Sequence, residues 1–128
     1  MQTATSVSVI LLRITAIIQI VLGLLFWTGN LLSLVSLHMV VGFILVLCLW
    51  ALSGLGAASG VNPGLVALGF AWGLVVPVLG VTQARILPGD LHWIVQVAHL
   101  LVGLIAIAIG DNLLAPRIRE NLPTPVAA

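Results

Sequence analysis

The chain has 128 residues, 62% of them hydrophobic, and it carries four Arg, three acidic residues and no Lys. A soluble domain is about one quarter charged, so this chain has too few polar groups to cover its surface in water, and it is too apolar to be disordered. A net charge of +1 without a basic patch argues against nucleic-acid binding, and the composition indicates one small integral membrane domain.

Four apolar runs, divided by clusters of Gly, Pro and Asn, follow one another along the chain. Each is long enough to cross a bilayer, which takes about 20 residues, and too uniformly apolar to be a barrel strand. Because lipid requires backbone groups to be paired internally, each run should be a helix. The short links make neighbouring helices antiparallel. The predicted fold class is all-α, an up-down-up-down four-helix transmembrane bundle with spans at about 7–27, 31–55, 64–87 and 91–115.

The end of the chain and the arginines predict the domain limits and the orientation. The transmembrane domain is expected to cover 1–116, and the Pro-rich segment 117–128 to be a flexible tail. We call the side that holds both termini side A and the opposite side B. Side A has three arginines and side B has one, so both termini are expected in the cytoplasm, in a multi-pass plasma-membrane protein. These arginines are Arg13, Arg117 and Arg119 on side A, and Arg85 on side B.

A short internal repeat places one histidine in the second span and one in the fourth. The segment from His38 to Val46 resembles the segment from His99 to Ile107, with four of nine positions identical, and both spans begin on side B. Both rings should lie about 10–12 Å into their helices. A pseudo-twofold axis along the membrane normal would then bring the rings together at the bundle centre. The glycine one turn after each histidine either lets helices approach closely or leaves room for a flat ligand such as porphyrin.

Two histidines inside a bilayer are candidates for function, because ionisable groups there are costly. Neutral imidazole is a good axial ligand for haem iron, and two of them leave the iron no open position, so such a haem transfers electrons. On His38 and His99, at equal depth in spans 2 and 4, the chain resembles small four-helix membrane b-type cytochromes. These are the cytochrome b561-like proteins and the haem-bearing membrane subunits of oxidoreductases. The resemblance implies one haem b per chain, on side B, with both histidines as metal ligands.

Three further side chains on side B are candidates for binding the cofactor. His92 lies seven residues before His99 on the same helix face, and either meets a haem propionate, replaces an axial ligand or lies among the headgroups. Arg85 either pairs with a propionate carboxylate or reaches the membrane surface as an interface residue. Gln96 either hydrogen-bonds an imidazole or links two helices.

Polar groups elsewhere in the spans are predicted to be structural. Arg13 and Asp111 lie near the side-A ends of spans 1 and 4, where an ion pair would neutralise both charges in lipid. Gln19 is expected to link helices, with a quinone contact as the alternative. Trp72 is expected to pack in the core or beside a ligand.

Two other classes of function stay open at the level of sequence. Imidazole and thioether groups suit copper, so a copper-binding membrane protein is one alternative. The other is a non-enzymatic accessory, scaffold or small transporter subunit in which the histidines only bridge helices. No nucleophile–base arrangement is present, so redox chemistry would come from the haem of an electron-transfer protein or oxidoreductase subunit. Expected partners are the lipid bilayer and a redox protein or quinone, with a homo-oligomer or a larger complex also open.

Overall fold

The computed structural model describes residues 1–122, and in this part of the chain all regular structure is helical. Four helical stretches are long and apolar enough to cross a membrane, which confirms the all-α class and the four predicted runs. The helices are α1 (Gln2–Trp27), α2 (Val35–Ala58), α3 (Pro63–Thr82) and α4 (His92–Ala108), and a π-helical segment (Ile109–Leu114) joins α4 to α5 (Ala115–Asn121).

The helices pack in the order of the chain, and the ring is closed by contacts between α1 and α4. Helices joined by short links must run antiparallel, so the arrangement is up-down-up-down. In such a ring α2 and α4 lie across a diagonal, which sets the two histidine-bearing helices opposite each other. The start of α3 is fixed by Asn62, whose side-chain oxygen accepts bonds from the backbone N–H of Gly64 and Leu65 at 2.8 and 3.3 Å.

Several helix ends differ from the sequence prediction: α2 begins and ends later than predicted, α3 already ends at Thr82, and the start of α1 and the end of the fourth span differ most. α1 begins at Gln2 rather than near residue 7, and its first turn is held by the buried Thr5, whose hydroxyl donates to the Met1 carbonyl oxygen at 3.1 Å. The fourth span does not stop at Pro116. Proline has no N–H to donate, and the helix passes this position after a π-helical turn, the kind of irregularity that accommodates an inserted residue.

The continuation of this helix corrects the predicted tail. Residues 117–121 belong to α5, and Ile118 is fully buried against the bundle, so the prediction of flexibility from residue 117 is wrong for this stretch. Burial of a large apolar side chain holds the last turns on the protein. Residues 123–128, the rest of that prediction, lie outside the described residues.

The buried core of the bundle lies in its side-A half. The π-helical segment packs closely on this core at Gly110. A Cβ on this residue would lie only 2.7 Å from Leu12 Cδ2 and 3.3 Å from Leu52 Cδ1. The missing side chain lets the π-helical segment rest directly on α1 and α2. Apart from Val46 at mid-helix, the largest fully buried apolar side chains lie on side A: Leu12, Leu49, Leu52, Leu114 and Ile118.

The ion pair predicted between the first and fourth spans is confirmed. Arg13 Nε and Nη2 each donate to one carboxylate oxygen of Asp111 at 2.8 Å, a two-bond geometry that fixes both side chains. The Asp111 side chain is only 17% exposed, whereas that of Arg13 is 60% exposed on the outer surface of the bundle. The pair therefore keeps a carboxylate neutralised at a position where water is scarce.

The pair provides a test of its structural role. Asp111→Asn is expected to lower the thermal unfolding midpoint and the yield of folded protein in membranes, because it leaves the Arg13 charge unpaired against lipid. The double variant Arg13→Asp with Asp111→Arg exchanges the two charges and should restore most of the unfolding midpoint and of the yield. Glu120→Gln is the matched control, since it breaks only the exposed 3.3 Å pair with Arg117 and should change neither. Equal behaviour of Asp111→Asn and Glu120→Gln would contradict the assignment.

Candidate functional site

The structure brings the two span histidines together at the centre of the bundle. The ring centroids of His38 and His99 are 6.3 Å apart, with the ring planes inclined at 49°. His38 lies in the first turn of α2 and His99 in the middle of α4, so their helices begin at different heights although the rings meet. Phe26 of α1 packs edge to face on His38 at 5.4 Å and supports that ring from one side.

A cavity of about 490 Å³ lies beside the two histidines and is lined by all four spanning helices. Its volume falls within the roughly 300–1,000 Å³ of small-molecule and cofactor pockets. The walls are mostly apolar, and a small set of polar side chains faces the space. This set consists of Gln19, His38, Gln83, His92, Gln96 and His99.

Three buried polar atoms at this site have no hydrogen-bond partner within residues 1–122. They are Nδ1 of His38, Nδ1 of His99 and Oε1 of Gln19. Buried polar atoms in folded proteins are nearly always paired, and each exception calls for an explanation. Histidines that served only to bridge helices would be expected to bond across the gap between them. The unpaired atoms are instead typical of a binding site in which a ligand supplies the missing interactions.

The two glycines predicted to make room for a ligand differ from each other. A Cβ on Gly103 would meet nothing within 4 Å, so this glycine opens onto the cavity. At Gly42 the space is taken by the side-chain amide of Gln19, which donates from Nε2 to the His38 carbonyl oxygen at 2.9 Å. Gly42 also lines the cavity, but its missing side chain makes room first for Gln19 and for the link between α1 and α2.

Two other glycines, which the sequence analysis did not single out, support the histidine rings. A Cβ on Gly23 would lie 3.8 Å from His38 Cε1, and one on Gly80 would lie 3.4 Å from His99 Cε1. In both halves of the molecule the ring packs against a glycine of the preceding helix. The signal is hard to see in the sequence, because Gly23 precedes its histidine by 15 residues and Gly80 by 19.

The polar candidates near side B lie at different places. His92 and Gln96 both line the cavity, and His92 Nδ1 donates to the Ile86 carbonyl oxygen at 3.2 Å, which ties the loop to the start of α4. Arg85 is exposed at the end of a short 3₁₀ turn (Gln83–Arg85) and is outside the cavity lining. Gln83 of the same turn does line the cavity, and the sequence analysis missed it.

Trp72 links α3 to α4 beside the cavity. Its Nε1 donates to the Val102 carbonyl oxygen at 2.9 Å, one residue before Gly103, and the ring packs against the core. A second indole, that of Trp50, joins α2 to α3 by donating to the Phe70 carbonyl oxygen at 3.1 Å. Both bonds satisfy an indole N–H inside an apolar bundle, so the two tryptophans fix the position of α3.

The two histidines are the potential metal ligands of the site. Within residues 1–122, no group of three or more His, Cys, Asp or Glu is placed to hold a metal ion, so a metal here would have two histidine ligands from the protein. No family model, curated protein or solved structure matches the chain. The function is therefore argued from the geometry of the histidine pair and its cavity.

Proposed function

We propose that the chain is an integral membrane b-type cytochrome that holds one haem b between His38 and His99 and transfers electrons. The observation that carries this proposal is the pair of imidazoles from diagonal helices, 6.3 Å apart beside a cavity. Two imidazoles bound to opposite sides of one metal, with metal–nitrogen bonds of about 2.0–2.1 Å, have ring centres about 6 Å apart. The spacing of the rings therefore suits a shared metal.

The donor set favours a metal that brings most of its own ligands. Two imidazoles do not complete the coordination of a copper(II) ion, which prefers four or more ligands, and the described residues form no cluster of three or more potential ligands. A porphyrin supplies four nitrogens and leaves two axial positions, which is what two histidines can fill. When bound, a haem with both axial positions taken supplies one-electron transfer rather than dioxygen binding.

The remaining residues of the site hold and orient such a group. The apolar walls exclude water from the flat body of the ligand, and Gly103 leaves space next to His99. His92, Gln96 and Gln83 put polar groups at the side-B end of the cavity, where the carboxylates of a haem would find hydrogen bonds. Gln19 holds the backbone of His38, and its free Oε1 is an acceptor suited to an imidazole N–H.

The proposed setting is the plasma membrane, with both termini in the cytoplasm. Four helices long and apolar enough to span a bilayer and the three-to-one division of arginines support this topology. The equivalent packing of each histidine on a glycine of the preceding helix supports a two-helix internal repeat. The proposed electron partners are a redox protein or a quinone in the membrane.

Filling the cavity should separate ligand binding from folding. Gly103→Leu is expected to reduce haem content at least tenfold while the unfolding midpoint of the ligand-free protein stays near that of the wild type, because the new side chain meets open space. Gly54→Leu is the matched control, since a Cβ there also meets nothing within 4 Å but Gly54 is outside the cavity lining. Equal haem content in the two variants would argue against a ligand in this cavity.

The proposal is tested by the composition of the purified protein. We expect protein produced with an ample haem supply and purified in detergent to contain one iron and one protoporphyrin per chain, with an absorption difference between its reduced and oxidised forms. Copper bound without porphyrin would favour a copper site instead. Folded protein that takes up neither metal nor porphyrin would leave an accessory or scaffold subunit.

A further inference from the structure

The two loops on side B each hold a leucine in a left-handed backbone conformation. Leu31 has a φ of 53° and Leu87 a φ of 47°. This region is unfavourable for residues with a Cβ and favours glycine, and the same loops do use glycine at Gly29 and Gly89, with φ of 77° and 92°. Glycine would adopt this conformation without strain. The presence of leucine at both positions therefore indicates that the side chain itself has a role.

Each leucine side chain is only partly packed in the protein and lies outside the buried core. Leu31 is 49% exposed and Leu87 46%, so the strain does not serve the core. They belong to a larger apolar surface, which we call the side-B rim, formed by exposed large side chains of both loops and of the helix ends beside them. The rim consists of Trp27, Leu31, Leu32, Leu87, Leu91 and Trp93.

The side-B rim meets the cavity at Trp27 and Leu32, which belong to both the rim and the cavity lining, and Gln83 and His92 lie just inside. The two loops, 28–34 and 83–91, contain only Arg85 and Asp90 as charged residues. A group of exposed large apolar side chains with so little charge is not suited to water.

The length of α3 places this rim at the membrane boundary. Its 20 residues, Pro63–Thr82, extend about 30 Å, which is the thickness of the hydrocarbon core. The loop that follows α3 therefore begins where the acyl chains end. Tryptophan prefers this layer, and the rim contains the exposed Trp27 and Trp93.

We propose that the side-B rim inserts into the boundary between headgroups and acyl chains, so that the cavity opens within the lipid layer and not into water. The partner is a lipid surface, and the strained leucines Leu31 and Leu87 are the anchors. A ligand would then reach the cavity from the membrane, with an apolar body leading and its polar end left near Gln83 and His92. The proposal rests on insertion of the bundle into a membrane and is independent of the haem.

Spin labels at single cysteines in phosphatidylcholine–phosphatidylglycerol vesicles test this placement. In a Cys48→Ala background, labels at Leu31→Cys and Leu87→Cys should collide more with oxygen, which concentrates in lipid, than with a water-soluble nickel chelate. The matched control is Asp90→Cys in the same loop as Leu87, where we expect the reverse order. Leucine labels as open to the nickel chelate as the Asp90 label would overturn the proposal. A label at Val40→Cys, exposed in α2, that also meets the chelate would overturn membrane insertion as well.

A second measurement separates a membrane anchor from a role in the fold. Leu31→Gly and Leu87→Gly relieve the left-handed strain, so the unfolding midpoint in detergent should rise. Quenching of tryptophan fluorescence by brominated lipid should fall in the same variants, because the rim loses its anchors. A lower midpoint with unchanged quenching would show that these leucines stabilise the fold rather than the membrane contact, and would overturn the proposal.

Discussion

Replacement of either His38 or His99 with alanine is expected to abolish the haem spectrum of the protein while leaving it folded. Each variant removes one of the two proposed ligands, and residues 1–122 hold no cluster of three or more His, Cys, Asp or Glu that could replace it. Haem content per chain should fall by at least tenfold. Folding should persist because Nδ1 of each ring makes no hydrogen bond in the described structure, so the fold loses none there. Absorption spectroscopy and circular dichroism on the same samples check both statements.

His92→Ala is the matched control for these two variants. His92 lines the cavity but lies near its side-B end, bonded to the Ile86 carbonyl oxygen, and it is not paired with another histidine. Its loss should leave the haem bound, with at most a modest change in affinity. If His38→Ala kept its full haem content and His92→Ala lost its haem, the ligand would be His92 and not His38. That result would contradict the proposed site.

Gly110→Val is expected to cause a large loss of stability. A Cβ at this position would lie 2.7 Å from Leu12 Cδ2, 3.3 Å from Leu52 Cδ1 and 3.4 Å from Leu49 Cδ1. All three leucines are fully buried, so none can move without displacing other side chains. Overpacking of a core typically costs about 1–3 kcal/mol, and a β-branched residue adds two methyl groups to the crowded Cβ. Chemical unfolding in detergent should show the loss directly.

Gly54→Val provides the comparison for this variant. A Cβ on Gly54 meets nothing within 4 Å, so the same change is made in a helix without any collision. Its free energy of unfolding should stay within about 0.5 kcal/mol of the wild type, as for most surface substitutions. If both variants lose the same stability, the cause is the residue type and not the close approach of the π-helical segment to α1 and α2.

Much of the fold follows from the sequence because the bilayer leaves few choices. Length and apolar composition identify four spans, and short links order them, so the arrangement of helices needs no tertiary information. The Arg13–Asp111 pair follows in the same way, since two charges near the same ends of neighbouring spans have few other partners. Helix ends are less predictable. The helix continues past Pro116 because of a π-helical turn and the burial of Ile118, and no local sequence pattern indicates either feature.

The site is predictable in its residues and less so in its packing. Histidine at matching places in spans 2 and 4 indicates a meeting point, and the rings do lie together. The glycine pattern does not reveal that Gln19 from another helix fills the space at Gly42, and it overlooks Gly23 and Gly80, whose contacts depend on how neighbouring helices face each other. Such contacts between helices have no fixed spacing along the chain.

Electron paramagnetic resonance of the oxidised, haem-loaded protein tests the central claim most directly, because it reports the axial ligands of the iron. We expect the signal of a low-spin ferric haem with two imidazole ligands, and its loss in both His38→Ala and His99→Ala. A high-spin signal from the wild-type protein, or a low-spin signal that survives both substitutions, would contradict an iron held between these two helices.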